Sequence, residues 1–224
     1  MSNKRKQFAV IGLGVFGSTI ASSLAKMGYE VLAVDRDITC VERIADTVTK
    51  AVQADATDIN ELRTLGISEF DTVIVAIGNH LEESMLSVMN VKELGVPYVL
   101  AKAKNKQFMQ ILLKIGADRV VRSEKEMGER VAKSLVRKNI IDIIEVDNDY
   151  SIIEMKAPAS WIGKTLKTLN VRSAYKMNIL AIRYANQEKL VLSVDPNYVI
   201  EDGDHFLVLG ETEAVEKYDY LIEK

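Results

Sequence analysis

The stretch Phe8-Ala-Val-Ile-Gly-Leu-Gly-Val-Phe-Gly17 decides the fold. Phe8 to Ile11 is a short, continuously apolar run, the pattern of a strand covered on both faces. The glycines at 12, 14 and 17 follow at once. Beyond them Phe16, Ile20, Leu24 and Met27 recur at spacings of four, four and three, which marks one face of a helix. A strand, a glycine turn and a helix form the context in which G-x-G-x-x-G carries meaning. Gly12 permits the tight turn, Gly14 lets a phosphate approach the backbone, and Gly17 lets helix and strand pack closely. The helix start then offers unpaired N–H groups and a positive dipole end to an anion.

Working outward, further apolar runs lie at Val31–Val34, Ala51–Ala54, Val73–Ile77, Tyr98–Ala101 and Arg119–Val121. They alternate with amphipathic stretches, one of them marked by Phe108, Leu112 and Ile115. This alternation predicts a parallel, doubly wound α/β sheet of six strands. Polar groups then collect at the carboxyl ends of the strands, the edge where ligands bind in such sheets. Asp35 closes the second run, 18 residues beyond Gly17, where a carboxylate can accept both ribose hydroxyls. Arg36 follows it, yet the carboxylate favours an unphosphorylated ribose. Asp55, Ala56 and Thr57 follow the third run, Ile77, Gly78 and Asn79 the fourth, and Lys102 the fifth. The pattern GxxxxGK[ST] is absent, so P-loop hydrolysis is not indicated.

From Glu124 to Asn139 the chain reads as one more helix, with Met127, Val131 and Leu135 four residues apart. Ile140 to Val146 is apolar with interrupting acids, and Asn148 with Asp149 supplies turn chemistry. The grammar then changes. Ser151–Met155 and Ile179–Arg183 read as strands, Tyr198–Ile200 and His205–Leu209 as a hairpin about Asp202-Gly203, and Thr212 onward as a last helix. The expectation is a Rossmann-like domain over 1–142, including a crossover helix, and a small α+β module over 143–224. Charge shifts at the same place. Residues 1–142 carry 20 Lys and Arg against 18 Asp and Glu, and residues 143–224 carry 9 against 14, within an overall net charge of -3.

Composition narrows the function classes. With 48% hydrophobic and 27% charged residues in 224, the chain has ordinary globular usage. Near-neutral charge and the absence of a basic patch or helix-turn-helix argue against nucleic acid as a partner and against a redox-sensing transcription regulator. No run approaches the roughly 20 apolar residues of a membrane span, so a cytoplasmic chain is expected. The single cysteine, Cys40, makes neither an internal disulfide nor a thiolate cage and reads as a small buried filler.

The alternative reading is an NAD-dependent oxidoreductase, which requires a proton donor or acceptor beside the nicotinamide. Tyr98-Val-Leu-Ala-Lys102 has the Tyr-x-x-x-Lys spacing of short-chain dehydrogenases, but on a strand the two residues stand roughly 13 Å apart. His80, after the fourth run, is the one candidate acid or base and reads as an exposed helix-start residue; His205 reads as structural. No catalytic residue is assigned, which points to a sensor and not an enzyme.

These stretches, with EVLAVD at 30–35, ADATD at 54–58, DTVIVAIG at 71–78, AKAKN at 101–105 and KIGADRVVRSEKEMG at 114–128, resemble the RCK (regulator of potassium conductance) family over nearly the full chain. The likeness is greatest to the cytosolic Ktr/Trk-type gating subunits of bacterial potassium uptake systems. It implies an N-terminal Rossmann-like RCK domain and a C-terminal RCK module. It also implies dimers assembled into an octameric ring, associated peripherally with an integral membrane potassium-translocating partner that the ring gates. By the resemblance, Gly12, Gly14 and Gly17 hold the phosphates and Asp35 the ribose, with Val15, Phe16 and Arg36 also among the cofactor-binding residues. Asp55, Ala56, Thr57, Ile77, Gly78 and Asn79 line the adenosine, and Lys102 and Glu124 reach the site. Glu124, preceded by Ser123, corresponds to an acid that helps hold a divalent or monovalent cation near the terminal phosphate. Many relatives carry arginine where this chain has Val15, which weakens discrimination of ATP from ADP. ATP or ADP is therefore the first expectation and NAD(H) the competing ligand. The C-terminal module of such proteins often binds cyclic di-AMP; the corresponding residues are Ile162, Leu169, Asn170, Val171, Arg172 and Pro196.

Overall fold

The computed structural model describes residues 6–78, 80–136, 140–147 and 149–215. In chain order the elements are β1 (Gln7–Ile11), α1 (Val15–Lys26), β2 (Glu30–Asp35), α2 (Ile38–Ile44), β3 (Lys50–Gln53), α3 (Ile59–Thr64), β4 (Thr72–Val75), α4 (Leu81–Glu93), β5 (Tyr98–Lys102), α5 (Lys106–Lys114) and β6 (Arg119–Val121). There follow α6 (Ser123–Val136), β7 (Ile140–Glu145), β8 (Tyr150–Lys156), α7 (Leu166–Leu169), α8 (Val171–Tyr175), β9 (Met177–Arg183) and β10 (His205–Glu211). All six expected N-terminal strands are present.

They form one parallel sheet in the order β3-β2-β1-β4-β5-β6. The continuous apolar runs have their cause in the two layers of helix that cover this sheet. Along β1, Ala9 and Ile11 belong to the core shared with Leu62 of α3, Val88 of α4 and Leu112 of α5. Val10, between them, belongs to the opposite core, shared with Ala21 of α1 and with Val41 and Ile44 of α2. Successive side chains point to opposite faces, so both parities must be apolar. The order of strands reverses at β1 and β4, and the crevice at their carboxyl ends is the switch point of the sheet.

Residues beyond this sheet build a second core around an antiparallel sheet in the order β7-β8-β10-β9. Ile153, Met155, Trp161, Ile182, Phe206 and Val208 are fully buried in it, and Trp161 packs edge-on against Phe206 with ring centroids 5.7 Å apart. Among the described residues, compact units divide between Met127 and Gly128. The boundary expected at residue 142 falls inside β7, because the pairing of β7 with β8 draws Ile140–Glu145 into the second sheet. Asn79 and Asn148 lie outside the described residues. Residues 212–215 are helical, and the remainder of the expected last helix lies outside the described residues as well.

One expectation about the second unit is corrected. Tyr198–Ile200 and His205–Leu209 do not form a hairpin. Both edges of β10 are taken, by β8 and by β9, and Val199 instead makes an isolated bridge to Thr165. The chain before β10 curls around the carboxylate of Asp204, which is wholly buried. That carboxylate accepts hydrogen bonds from the Tyr198 hydroxyl (2.9 Å), the Glu201 N–H (2.9 Å) and the Ala185 N–H (3.1 Å). Burial and the neighbouring Asp204 carboxylate push the Tyr198 phenol well above its ordinary range, so it stays a neutral donor.

Two substitutions test how the first turn is held. A Cβ on Gly17 would stand 1.9 Å from the Gly12 carbonyl oxygen, whereas a Cβ on Gly14 meets nothing within 4 Å. In denaturant unfolding, Gly17→Ala is expected to lose about 3 kcal/mol or more and Gly14→Ala less than about 1 kcal/mol.

Candidate nucleotide-binding cleft

The cleft at the switch point is built from four strand ends. It is lined by Gly12 and Gly14 after β1, Asp35 and Arg36 at β2, Asp55, Ala56 and Thr57 after β3, and Ile77 and Gly78 after β4. The first turn of α4 adds His80 and Glu83, and Ser87 lies deeper. Nine of the residues selected from sequence therefore meet in one space. Val15, Phe16, Gly17, Lys102 and Glu124 do not line it. Gly17 is the packing contact described above, and Val15 is 88% exposed at the start of α1. Phe16, Lys102 and Glu124 stand together beside it.

The glycine turn shapes one end of the cleft. Gly12 has φ +90°, a left-handed conformation, and its N–H donates to the Val34 carbonyl at 2.8 Å. The chain then enters α1 at Gly14, which carries no side-chain cap, so the first N–H groups of a 12-residue helix have no partner from a capping side chain. The space a Cβ on Gly14 would occupy is open. A cradle of this kind fits a phosphate.

Asp35 is fixed before any ligand arrives. Its Oδ2 accepts from the Leu13 N–H within the glycine loop, and its Oδ1 accepts from the Asp37 N–H at 2.9 Å. Each oxygen has a second lone pair, enough for two vicinal hydroxyls. Asp55 is held likewise, its Oδ1 accepting from the Thr57 hydroxyl (2.7 Å) and the Thr57 N–H (2.8 Å). Those two bonds hold its carboxyl below the usual aspartate range, so it is an anion and an acceptor at neutral pH.

Three residues of α4, Asn90, Glu83 and Ser87, escaped the sequence reading. Asn90 donates to the carbonyls of Ala56 (3.2 Å) and Thr57 (2.9 Å), bracing the loop after β3. Glu83 pairs with Arg36 at 2.7 Å across the cleft. His80, exposed as expected at the helix start, joins the lining. Ser87 is fully buried at the cleft wall, and its hydroxyl has no hydrogen-bond partner among the described residues. An orphaned hydroxyl among Ala54, Ala56 and Ile77 fits the polar edge of a base seated there. No spacing rule marks Asn90, Glu83 and Ser87. They become neighbours of the cleft only once α4 packs on the sheet.

At the phosphate side Lys102 is mostly buried, with its ammonium 5.4 Å from the centroid of the Phe16 ring. A Cβ on Gly78 would touch it. The ammonium is ion-paired with Glu124, at the start of α6, and this bond chiefly holds the Glu124 carboxyl below the usual glutamate range. Glu124 also accepts from the Ser123 hydroxyl at 3.0 Å. Among the described residues no cluster of three or more His, Cys, Asp or Glu could enclose a metal. A cation at Glu124 would thus have one protein carboxylate and would need phosphate oxygens to complete its shell.

In the second unit, Asn170, Val171, Arg172 and Pro196 line a separate cleft of their own, together with Lys167 and Asn178 among others. Ile162 and Leu169 do not line it; Leu169 packs against the second core and Ile162 is 38% exposed. His205 lies 3.6 Å from Glu154, which also pairs with Arg183 at 3.0 Å. Cys40, in α2, is half-buried. No helix of the described residues is long and apolar enough to cross a membrane.

Comparison with known proteins agrees with this architecture. Residues 8–123 match the TrkA-N domain and residues 150–221 the TrkA-C domain. The chain is 41% identical over 216 residues to Ktr system potassium uptake protein A of Bacillus subtilis (strain 168), covering 96% of each chain. It is 37% identical to Ktr system potassium uptake protein C of the same organism, again covering 96% of each. The same relative A from Vibrio alginolyticus is 32% identical, with 94% of each covered. Among solved structures the GsuK channel superposes with TM-score 0.69 over the whole of this chain at 16% identity, and the GsuK channel bound to NAD with TM-score 0.66 at 15%. This chain spans 40% of those longer chains, and the likeness establishes the fold. The regulatory, non-enzymatic character expected from sequence accords with relatives that are potassium uptake proteins.

The Lys102–Glu124 pair is testable by titration. In Lys102→Met, the Glu124 carboxyl is expected to titrate higher, back toward the ordinary glutamate range, when followed by carboxyl NMR. Because the folded value is the lowered one, the contribution of the pair to stability is present above the ordinary range and is lost as pH falls through the lowered value. The substitution should remove that acid-side dependence.

Proposed function

Because the chain belongs to the TrkA family of potassium uptake proteins, carrying both the TrkA-N and the TrkA-C domain, we propose that it is the ligand-sensing regulatory subunit of a potassium uptake system. The observation that carries this reading is the convergence of Gly12, Gly14, Asp35, Asp55 and the braced loop after β3 on one cleft. The cleft is polarised. Carboxylates stand at its ribose and base end, and the open helix start stands at its phosphate end. An adenine nucleotide matches that polarity in one orientation only.

ATP or ADP is the first ligand and NAD(H) the competitor, since Val15 supplies no charge to a terminal phosphate. A cation bridging Glu124 and that phosphate would remove the repulsion between two anions. In the second unit, Arg172 and the apolar walls of its cleft suit a phosphodiester such as cyclic di-AMP. Regulation requires a ligand that binds two assembly states with different affinity. The assembly is a ring of copies of this chain, an octamer built of dimers. It sits on the cytoplasmic side of an integral membrane partner that conducts potassium.

The test is equilibrium binding of ATP, ADP, NADH and cyclic di-AMP to the purified chain, with light scattering for mass. An oligomer that binds adenine nucleotides is expected; a monomer that binds NADH alone would sink the regulatory reading. Asp35→Ala should weaken nucleotide binding at least about 100-fold, because two charge-assisted bonds to the ribose are lost. Cyclic di-AMP binding should survive that change, and loss of both would overturn the assignment of two separate sites.

A further inference from the structure

We propose that Glu83 is a specificity-determining residue, which holds Arg36 away from the ribose and so restricts the cleft to nucleotides with a free 2′-hydroxyl. The inference rests on the nucleotide reading of the cleft and sharpens its ligand class. An arginine directly after the ribose-binding acid is the residue that accommodates a 2′-phosphate in doubly wound domains. By position alone, then, Arg36 would admit phosphorylated ribose. Its surroundings argue otherwise.

The Arg36 guanidinium is bonded through Nη1 to Glu83 Oε1 at 2.7 Å, and both residues line the cleft. The Arg36 carbonyl accepts from the Gln53 side chain at 2.9 Å, so the main chain beneath the guanidinium is fixed and only the side chain can re-aim. Glu83 lies in the first turn of α4, where the helix dipole favours an ionised carboxylate. A 2′-phosphate would face Asp35, already tied to Leu13 and Asp37, with Glu83 and Asp55 lining the same cleft. The one cation beside these carboxylates in the cleft lining is engaged. With Arg36 61% exposed, the pair contributes little to folding. Its effect falls on the charge and aim of the guanidinium, and therefore on which ribose is accepted.

The experiment compares ligands that differ only in the 2′-phosphate: NADH against NADPH, and ADP against adenosine 2′-phosphate 5′-diphosphate. Each is titrated into the full wild-type chain, E83Q and E83Q/R36A. The wild type is expected to prefer the unphosphorylated member of each pair it binds. In E83Q that preference should shrink about tenfold, the scale of one regained charge-assisted contact, and the added R36A should restore it. Three results would overturn the proposal: a wild type that accepts both members alike, a preference that E83Q leaves unmoved, or a gain that persists in E83Q/R36A. A folded wild type that binds none of the four would instead remove the nucleotide reading itself, a result distinct from a binding wild type with unaltered preference.

Discussion

The approach of Gly17 to the carbonyl oxygen of Gly12 is the constraint on which the first unit depends. A β-carbon at residue 17 would lie 1.9 Å from that oxygen, far inside contact distance. With hydrogen there, α1 seats against β1 within a few residues of the strand end, and its start is left uncapped at the cleft. The same turn places the Leu13 N–H on the carboxylate of Asp35, joining the ends of β1 and β2. The uncapped helix start and the Asp35 carboxylate are thus one structure, set in register by a hydrogen bond that exists before a ligand binds. Pre-ordering of this kind lowers the entropic cost of binding.

Around this turn the helix layers differ in what they do. α1 and α2 pack on one face, and the uncapped start of α1 opens at the cleft. α4, on the other face, supplies the wall: Asn90 braces the loop of Asp55 to Thr57, Ser87 presents an unpaired hydroxyl, and Glu83 engages Arg36. Charge follows the same division. Asp35, Asp55 and Glu83 gather in the cleft lining, while Lys102, paired with Glu124 and placed over Phe16, stands beside Gly78.

The second unit is organised around a buried acid instead of a glycine turn. Asp204 satisfies three donors from the chain that precedes β10 and thereby shapes that segment into a curl. The hairpin expected from Asp202-Gly203 is a sound local inference that this burial overrides. Turn chemistry was read correctly as a reversal; which strands pair was decided by β8 and β9 occupying both edges of β10.

By itself the sequence determined the six parallel strands, the glycine turn and the acids at strand ends. Those features are local: periodicity reports which faces are covered, and strand-end position reports the ligand edge. Asp35, Asp55, Ile77 and Gly78 were legible for that reason. Tertiary structure alone decided the rest. The residues of α4 are separated from Asp35 by nearly 50 positions and carry no motif, so only the packing of that helix on the sheet brings Glu83 to Arg36 and Ser87 to the cleft wall. The absence of the hairpin has the same origin, because the pairing of a strand depends on which edges remain free, and that is a property of the folded sheet and not of its turns.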